Sequence, residues 1–302
     1  YSTLDGCQVY GNGGTTNNGN LLRMDHHIPL DDAVSNFVAS VDRYEYDSLN
    51  RLKSVTELSY TKGPSGADIY QGVFRQAFLY DRWGNRTIDQ ANTAGAVNKK
   101  AYTVDTATNR LTSADGAPMR YDAAGNQTDD GSGERIYDGE NRLVEAKNSA
   151  GMVVDRYVYD ADGRRVRRII GGQETWQVYG IGGELLAEYS VGALPTAAQK
   201  EYGYRSGQLL VVWDGSEMGD RQLQWLVQDH LGSTRMAVDR SGSLGGVRRH
   251  DFGSFGEELF AGVGIRSASL GYGADSNRQK FGSKERDIET GLDFFLARYY
   301  SS

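Results

Sequence analysis

The chain has 302 residues and a formal net charge of −7, with 33 Lys and Arg against 40 Asp and Glu. An acidic chain is a poor candidate for binding nucleic acid, which requires a basic surface that neutralises phosphate groups, so no nucleic-acid partner is expected. The sequence has no apolar run long enough to cross a bilayer as a helix, so no membrane span is expected either.

Glycine and tyrosine are unusually frequent in this sequence. It contains 39 Gly and 19 Tyr but only 4 Pro. Glycine is nearly twice as common as the usual ~7%, which indicates many tight turns. Tyrosine favours strands because its ring packs well on a half-buried sheet surface. The single cysteine, Cys7, cannot form an intramolecular disulfide. The composition therefore predicts a β-rich protein held together by packing and hydrogen bonds.

The first 43 residues form the N-terminal segment of the predicted domain organisation. Ala33, Val34, Phe37 and Val38 are spaced as on one face of a helix, and Asp31 precedes them at a position that suits an N-cap. This pattern predicts one short helix in a chain that is otherwise β.

Residues 44–170 contain a repeat in which a Tyr-Asp dipeptide is followed closely by Gly or Asn. The full copies begin at Tyr46 and Asp47, Tyr80 and Asp81, Tyr121 and Asp122, Tyr137 and Asp138, and Tyr159 and Asp160, and a weaker copy begins at Val104. The first residues of successive copies lie 34, 24, 17, 16 and 22 residues apart. The unit therefore has loops of variable length rather than a strict solenoid period.

Each copy is interpreted as a β-hairpin. An alternating segment such as Arg156–Tyr159 enters as a strand, Asp at the next position caps a turn, and Gly or Asn supplies a positive φ. The chain then returns as a second strand, as in Arg164–Ile170. The recurring tyrosine is expected on the buried side of the hairpin, stacked on its neighbours across the strands. The motif residues are therefore predicted to be structural.

Residues 171–302 form the third predicted segment, in which strand-like stretches are separated by glycine turns. Two blocks in this segment contain further candidate site residues. The block at 229–235 contributes Asp229, His230, Gly232 and Arg235, and the block at 280–300 contributes Asp287, Gly291, Arg298 and Tyr299.

The Tyr-Asp turns and these two blocks together resemble the Rhs (rearrangement hotspot) or YD-repeat family over roughly residues 44–300. The resemblance implies an all-β fold of repeated antiparallel β-hairpins in a spiral sheet that forms a shell, a barrel or an extended scaffold. It also implies that residues 171–302 are the C-terminal region of the Rhs core. In bacterial toxin systems of this family the shell encloses a variable C-terminal polypeptide, and in the related teneurins it is an extracellular barrel involved in adhesion.

The sequence departs from the family pattern in two ways. Family shells run to many hundreds of residues, so this chain is expected to form only the C-terminal turns of a spiral, or a small open version. The family pattern continues into a Gly-Arg-Phe stretch and an Asp-Pro motif, near which the aspartates of self-cleavage lie, and this sequence stops at Ser302 before them. An aspartyl self-processing enzyme is thus a third hypothesis that lacks its motif, and no catalytic residue is predicted.

Metal and cofactor sites find little support in the sequence. The adjacent His26 and His27 point apart on a strand, and the ligand spacing of a zinc site is missing. The segment from Asp160 opens like a calcium loop, but its twelfth position is Gly171, where a bidentate Glu is needed. No glycine-rich segment joins a strand to a helix as in nucleotide-binding loops. No metal and no cofactor are expected.

Other reactive-looking groups have simpler explanations. His230 lacks a nearby nucleophile elbow, so a hydrogen-bonded turn histidine is the better interpretation. Asp287 and Asp293, with Glu285 and Glu289, resemble paired catalytic carboxylates, but acids are so common here that the pairing says little. The densest basic cluster is predicted to divide between two strand faces and to pair with acids on adjacent strands, and it consists of Arg164, Arg165, Arg167 and Arg168.

Two functions from different classes follow. The favoured one is a non-catalytic YD-repeat shell protein that encloses and protects a C-terminal or partner toxin polypeptide for secretion. The alternative is an extracellular structural or adhesive protein that self-assembles into a filament or surface polymer, because exposed sheet edges can pair with another copy. The expected partners are a toxin or cargo polypeptide or further copies of the chain, and a cell-surface glycan or receptor is a further candidate. The expected location is secreted or on a bacterial cell surface.

Overall fold

A computed structural model describes residues 19–296 and 298–302 of the chain. Within these residues the chain forms 26 strands in antiparallel sheets, joined by turns and short 3-10 helices, and no α-helix. The predicted all-β class is therefore confirmed. The prediction for Cys7 lies outside the described residues.

The structure divides into two compact units. The first takes in the chain up to Leu111 together with Leu259–Leu270, and the second consists of Thr112–Glu258 and Gly271–Ser302. The segment boundaries drawn from the sequence after residues 43 and 170 stay predictions. Among residues 19–296 and 298–302, no helix is both long and apolar enough to cross a membrane.

The first unit contains a five-stranded antiparallel sheet whose strands follow chain order. Its core includes Val55, Phe74 and Leu259, and the fully buried Glu57 accepts two hydrogen bonds from Arg266 at 2.8 and 3.0 Å. The strands are β1 (Arg23–Pro29), β2 (Phe37–Tyr46), β3 (Leu52–Lys62), β4 (Asp68–Tyr80) and β5 (Arg86–Ile88).

The short helix predicted behind Asp31 is wrong. The segment is the loop of a hairpin between β1 and β2, in which Ile28 lies opposite Val38. Asp31 does act as a cap, but of this loop, since its carboxylate accepts the backbone N–H groups of Ser35 at 2.9 Å and Asn36 at 3.0 Å. A short apolar run fits helical and strand spacing equally, and here the pairing with β1 decides in favour of a strand.

Short strands continue the chain after the five-stranded sheet. They are β6 (Tyr102–Asp105), β7 (Arg110–Ala114), β8 (Ala117–Pro118), β9 (Arg120–Tyr121) and β10 (Gln127–Asp129).

The second unit is dominated by an antiparallel sheet of eleven strands, each paired with the next along the chain. Its hairpins are short because the Tyr-Asp motifs and glycine turns reverse the chain within a few residues. The strands are β11 (Arg135–Tyr137), β12 (Leu143–Lys147), β13 (Val153–Tyr159), β14 (Arg165–Ile170), β15 (Gln173–Tyr179), β16 (Leu185–Ser190), β17 (Lys200–Arg205), β18 (Gln208–Asp214), β19 (Leu223–Gln228), β20 (Thr234–Asp239) and β21 (Val247–Arg249).

One face of this sheet, called here the buried face, carries the apolar core of the second unit. Leu185, Tyr202, Leu209, Leu226 and Ala237 pack together on it. Because side chains alternate between faces and the strands are in register, residues of β13 and β14 extend the same face toward the start of the sheet. Those residues are polar, and they contact the last strands of the chain.

The remaining elements are short. The strands are β22 (Asp251–Phe252), β23 (Glu258–Leu259), β24 (Glu285–Asp287), β25 (Leu292–Phe295) and β26 (Arg298–Ser301), and the 3-10 helices are Gln90–Asn92, Gly219–Gln222, Leu244–Gly246, Ala268–Leu270 and Phe281–Ser283. Strands β24 to β26 form a three-stranded antiparallel sheet, called here the core-terminal sheet.

Candidate functional site

The Tyr-Asp motif builds one recurring turn, which is clearest at Asp138. Its Oδ1 accepts the backbone N–H groups of Glu140 and Arg142, both at 2.9 Å, and its Oδ2 accepts Arg142 Nε–H at 2.8 Å. Asn141 adopts a φ of +63°, which closes the turn. The aspartate thus satisfies backbone donors that a tight turn leaves unpaired.

The same turn recurs along the chain with the aspartate as acceptor and a left-handed residue three positions later. Asp229 of the 229–235 block belongs to this set, although Gln228 stands where the motif has tyrosine. The aspartates are Asp47, Asp81, Asp122, Asp160 and Asp229, and the left-handed residues are Asn50, Gly84, Gly125, Gly163 and Gly232.

The motif tyrosines make a second recurring contact, with the backbone of the preceding turn. Tyr159 donates its hydroxyl to the carbonyl of Leu143 at 2.7 Å, and Leu143 lies six residues after Tyr137. The same offset from the preceding motif tyrosine holds for three further donor and carbonyl pairs, which are Tyr80 with Leu52, Tyr137 with Gln127, and Tyr179 with Arg165, although Tyr179 is followed by glycine rather than aspartate.

The rings of these tyrosines lie half-buried beside arginines rather than in the tyrosine stack that the sequence predicts. The guanidinium of Arg51 lies 4.5 Å from the ring centre of Tyr80, and that of Arg142 lies 5.2 Å from Tyr159. Both arginines belong to the turn that precedes the tyrosine, so in these two copies each turn covers the tyrosine of the next.

The core-terminal sheet is attached to the buried face through Arg165, whose side chain is fully buried. Its guanidinium donates to Asp287 Oδ2 at 2.7 Å and to the hydroxyl of Tyr299 at 2.8 Å, and it lies 2.8 Å from Glu285 Oε1. Its flat side lies 4.5 Å from the ring centre of Phe294. Arg165 thus meets both charged and aromatic groups of the core-terminal sheet.

Arg168, three residues further along β14, extends this attachment. It contacts Glu285 directly and lies 3.3 Å from Glu188 on β16. Gln177 donates its Nε2–H to Glu285 Oε2 at 3.0 Å, and Tyr202 donates to Glu188 Oε1 at 3.0 Å. The predicted alternation of the arginine cluster holds only in part, because a register shift opposite Tyr159 brings Arg165 and Arg168 to the same face, where both pair with acids more than 100 residues away in the chain. Arg167 pairs with Glu174 on the adjacent strand at 3.3 Å, as predicted.

Asp155 on β13 is a fully buried acid beside these ion pairs. Its Oδ2 accepts the hydroxyl of Tyr157 at 3.0 Å. Burial, together with the charge of Asp287, raises the pKa of Asp155 to about 6. Asp155 is thus the acid in this region that is least well supplied with positive partners.

A second buried cluster holds the loop before the core-terminal sheet. His250 lies 2.8 Å through Nδ1 from Glu258 and 2.9 Å through Nε2 from Asp275, and Lys280 donates to Asp275 at 2.8 Å. Burial alone would lower the pKa of His250, but its hydrogen bonds to both carboxylates outweigh that effect and raise it. Burial would raise the pKa of Asp275, but His250 and Lys280 lower it to about 2. The two carboxylates therefore favour an imidazolium at His250 against the opposing charge of Lys280, whose Nζ lies 3.1 Å from Nδ1.

The two sequence blocks meet in the structure. Ser283 contacts the carbonyl of Gly232 at 2.5 Å, and the backbone N–H of Thr234 donates to the carbonyl of Lys280 at 3.1 Å. Arg235 reaches Asp251 at 2.5 Å.

The remaining predicted site residues lie in different surroundings. His230 is exposed in its turn, and Arg298 is exposed on β26. Gly291, with a φ of +71°, closes the turn that leads into β25. Tyr299 and Tyr159 come together, with 3.3 Å between their hydroxyls.

Sequence reasoning missed the buried ion pairs. Arg165, Arg168 and Glu285 carry the attachment, and Asp155 and His250 are buried without having been singled out. The sequence offers no local signal for these pairs, because Arg165 and Asp287 stand 122 residues apart.

The arrangement holds segments together rather than exposing reactive groups. The buried charged side chains of the core-terminal sheet are engaged in ion pairs, as Arg286 is with Asp293 at 2.7 and 2.9 Å. In the part of the chain that the structure describes, no group of three or more His, Cys, Asp or Glu side chains is arranged to hold a metal ion. The geometry is that of an anchor for a chain segment.

These features define an antiparallel β-hairpin repeat protein with Tyr-Asp turns. No family model matches the chain. It is 27% identical over 228 residues to the tRNA3(Ser)-specific nuclease WapA of Bacillus spizizenii and 25% identical over 229 residues to the tRNA nuclease WapA of Bacillus subtilis. Each match covers 74% of this chain but only 9% of the relative.

Among solved structures, the chain is similar to the TcdB2-TccC3 crystal structure, with a TM-score of 0.59 and 19% identity over 92% of this chain and 16% of that one. At this identity the likeness shows a shared fold. The sequence and structural relatives together confirm the resemblance to the Rhs, or YD-repeat, family. The chain spans a small part of the length of each of these relatives.

Proposed function

We propose that this chain is a non-catalytic part of a YD-repeat shell that encloses and protects a toxin or cargo polypeptide, and that it acts outside the cytoplasm of a bacterium, secreted or at the cell surface. The observation that carries the proposal is the attachment of the core-terminal sheet to the buried face through Arg165. A segment fixed by buried ion pairs gives a polypeptide that is joined to it, or bound beside it, a defined position on one face of the sheet.

The non-catalytic role is supported by the ion pairing of the two candidate carboxylates. Asp287 and Asp293 are each held by an arginine, at 2.7 Å in both cases. Carboxylates committed to buried guanidiniums are poorly placed to exchange protons with a substrate. Their role here is to fix the segment.

The test is to isolate the native protein from its own cells and to measure the particle mass by light scattering and the polypeptides present by mass spectrometry. We expect a discrete particle containing a polypeptide beyond the 302 residues, resistant to protease while the sheet is folded and digested after denaturation in urea. Arg165→Met should make that polypeptide sensitive to protease, whereas Arg156→Met, which removes an exposed guanidinium, should not.

An open fibre built of repeated 33.2 kDa units, with no additional polypeptide, would contradict the shell and favour the self-assembling structural protein. Loss of C-terminal processing in a longer natural chain on changing Asp287 or Asp293 to Asn, with folding retained, would contradict the non-catalytic role.

A further inference from the structure

The buried face carries more acid than base where it meets the core-terminal sheet. Among the described residues, four buried carboxylates, defined here as the acid cluster, face the two buried guanidiniums of Arg165 and Arg168, and the nearby Arg278 is already bound to a fifth acid, Glu289. The acid cluster consists of Asp155, Glu188, Glu285 and Asp287. A buried group of charges with this imbalance favours uptake of a positive charge.

Asp155 is linked to the attachment through Tyr157, whose ring lies 5.0 Å from the guanidinium of Arg165 and 5.5 Å from the ring of Tyr299. Asp155 and Asp287 are both fully buried. Asp155 Oδ1 and Asp287 Oδ1 each have no hydrogen-bond partner among residues 19–296 and 298–302. An unpaired buried carboxylate oxygen is costly, and a proton on one of two neighbouring acids removes the charge and supplies a donor.

Other charged and titratable groups around Asp155 do not correct the imbalance. Tyr157 lies on the same strand and donates its hydroxyl to Asp155, and Glu289, after β24, is already matched by Arg278 at 2.7 Å. The groups that face this region are Arg165 and Arg168 from β14, Glu188 from β16, Glu285 and Asp287 from β24, and Tyr299 from β26.

We propose that the acid cluster is a proton-operated latch, in which a proton taken up by Asp155 tightens the hold of the buried face on the core-terminal sheet. Under acidic conditions Asp155 is neutral and no longer repels Asp287. The ion pairs of Arg165 with Asp287 and Glu285 are then unopposed by a third carboxylate charge. Near neutral pH the extra negative charge loosens the attachment. This inference concerns the attachment itself and is independent of what the sheet encloses.

The direction of the pH effect follows from the raised pKa of Asp155, about 6 in the folded chain. An ordinary aspartate, as in the unfolded chain, has a pKa of about 3.9. The folded chain therefore binds the proton more tightly, so the resulting stabilisation is fully present below about pH 4 and is lost as the pH rises through about 6.

The test compares the wild type with Asp155→Asn, a neutral side chain of the same shape, in urea unfolding between pH 5 and pH 7. Because asparagine mimics the protonated acid, the ratio of the wild-type to the variant unfolding constant should fall about tenfold from pH 7 to pH 5. Asp162→Asn, which changes an exposed turn residue, should show no such trend. A ratio that stays constant across this range would overturn the proposal.

Two further measurements test whether the pH effect comes from Asp155 and acts on the core-terminal sheet. The carboxyl carbon of Asp155, followed by nuclear magnetic resonance, should titrate with a midpoint near 6 rather than near the ordinary value of about 4. Hydrogen-exchange protection of β25, corrected for the intrinsic pH effect, should rise from pH 7 to pH 5 by clearly more in the wild type than in Asp155→Asn. An equal rise in β2 and β3 of the first unit would show a general effect and would overturn the latch.

Discussion

Replacing Arg165 by methionine tests whether the buried ion pairs anchor the core-terminal sheet. Methionine keeps most of the length of the side chain but leaves Asp287 buried without its guanidinium and Glu285 with that of Arg168 alone. Breaking a buried pair by removing one partner costs about 3–5 kcal/mol. Loss of the contact with Phe294, at 4.5 Å from the guanidinium, is part of that cost rather than an addition to it.

The effect should be strongest where the segment is attached. We expect urea unfolding of Arg165→Met to show a loss of about 3–5 kcal/mol, with hydrogen exchange in β25 and β26 accelerated more than in β18 and β19. Arg156→Met is the matched control, because Arg156 is half-exposed, paired with Glu145 at 2.8 Å, and expected to contribute no more than about 1 kcal/mol.

A loss of less than 1 kcal/mol for Arg165→Met, or one equal to that of Arg156→Met, would refute the anchoring role. The double variant Arg165→Met with Asp287→Asn tests whether the cost comes from the carboxylate left without a partner. Neutralising the stranded acid should recover part of the stability, and the two changes should therefore be less costly together than the sum of the single changes.

Three further changes test the turns and the second buried cluster. Gly163→Ala, at a φ of +78°, should cost about 1–2 kcal/mol in urea unfolding, whereas Gly139→Ala, in open space without a positive φ, should stay within about 0.5 kcal/mol. Tyr159→Phe should cost about 1–1.5 kcal/mol, because the carbonyl of Leu143 loses its donor at 2.7 Å, and an unchanged unfolding midpoint would contradict this. His250 has a raised pKa, so the stability it contributes is complete below about pH 6.5 and is lost as the pH rises through the folded value. Unfolding midpoints of the wild type should therefore fall between pH 6.5 and pH 8.5 more steeply than those of His250→Gln, and parallel curves would argue against a buried imidazolium.

The hairpins could be predicted from the sequence because all of their determinants are local. Asp138 and Asn141 stand three residues apart, and the hydrogen bonds that fix the turn span two and four residues. The short helix was mispredicted because its true structure depends on a residue outside the local pattern. Val38 lies in a strand because it pairs with Ile28 across a loop, and the local spacing does not reveal that pairing. Where two local patterns compete, the paired strand decides.

The anchor could not be predicted because its partners are far apart in the chain. Arg165 and Asp287 are separated by 122 residues, and nothing in either local sequence indicates the other. An acid-rich stretch is compatible with a solvated surface as well as with a buried ion pair. Only the fold shows that Asp287 is fully buried and Arg298 exposed.

The contact of each tyrosine with a backbone carbonyl explains how a strict motif coexists with irregular spacing. The carbonyl acceptors belong to residues as different as Leu52, Gln127 and Arg165, since the hydroxyl bonds to the main chain and is indifferent to the side chain there. The aspartate likewise binds backbone N–H groups. Loops between copies can therefore change in length and sequence without disturbing the join between successive turns. The continuous sheet therefore needs only the Tyr-Asp dipeptide and the left-handed residue after it, which are the features that recur along the chain at spacings from 16 to 34 residues.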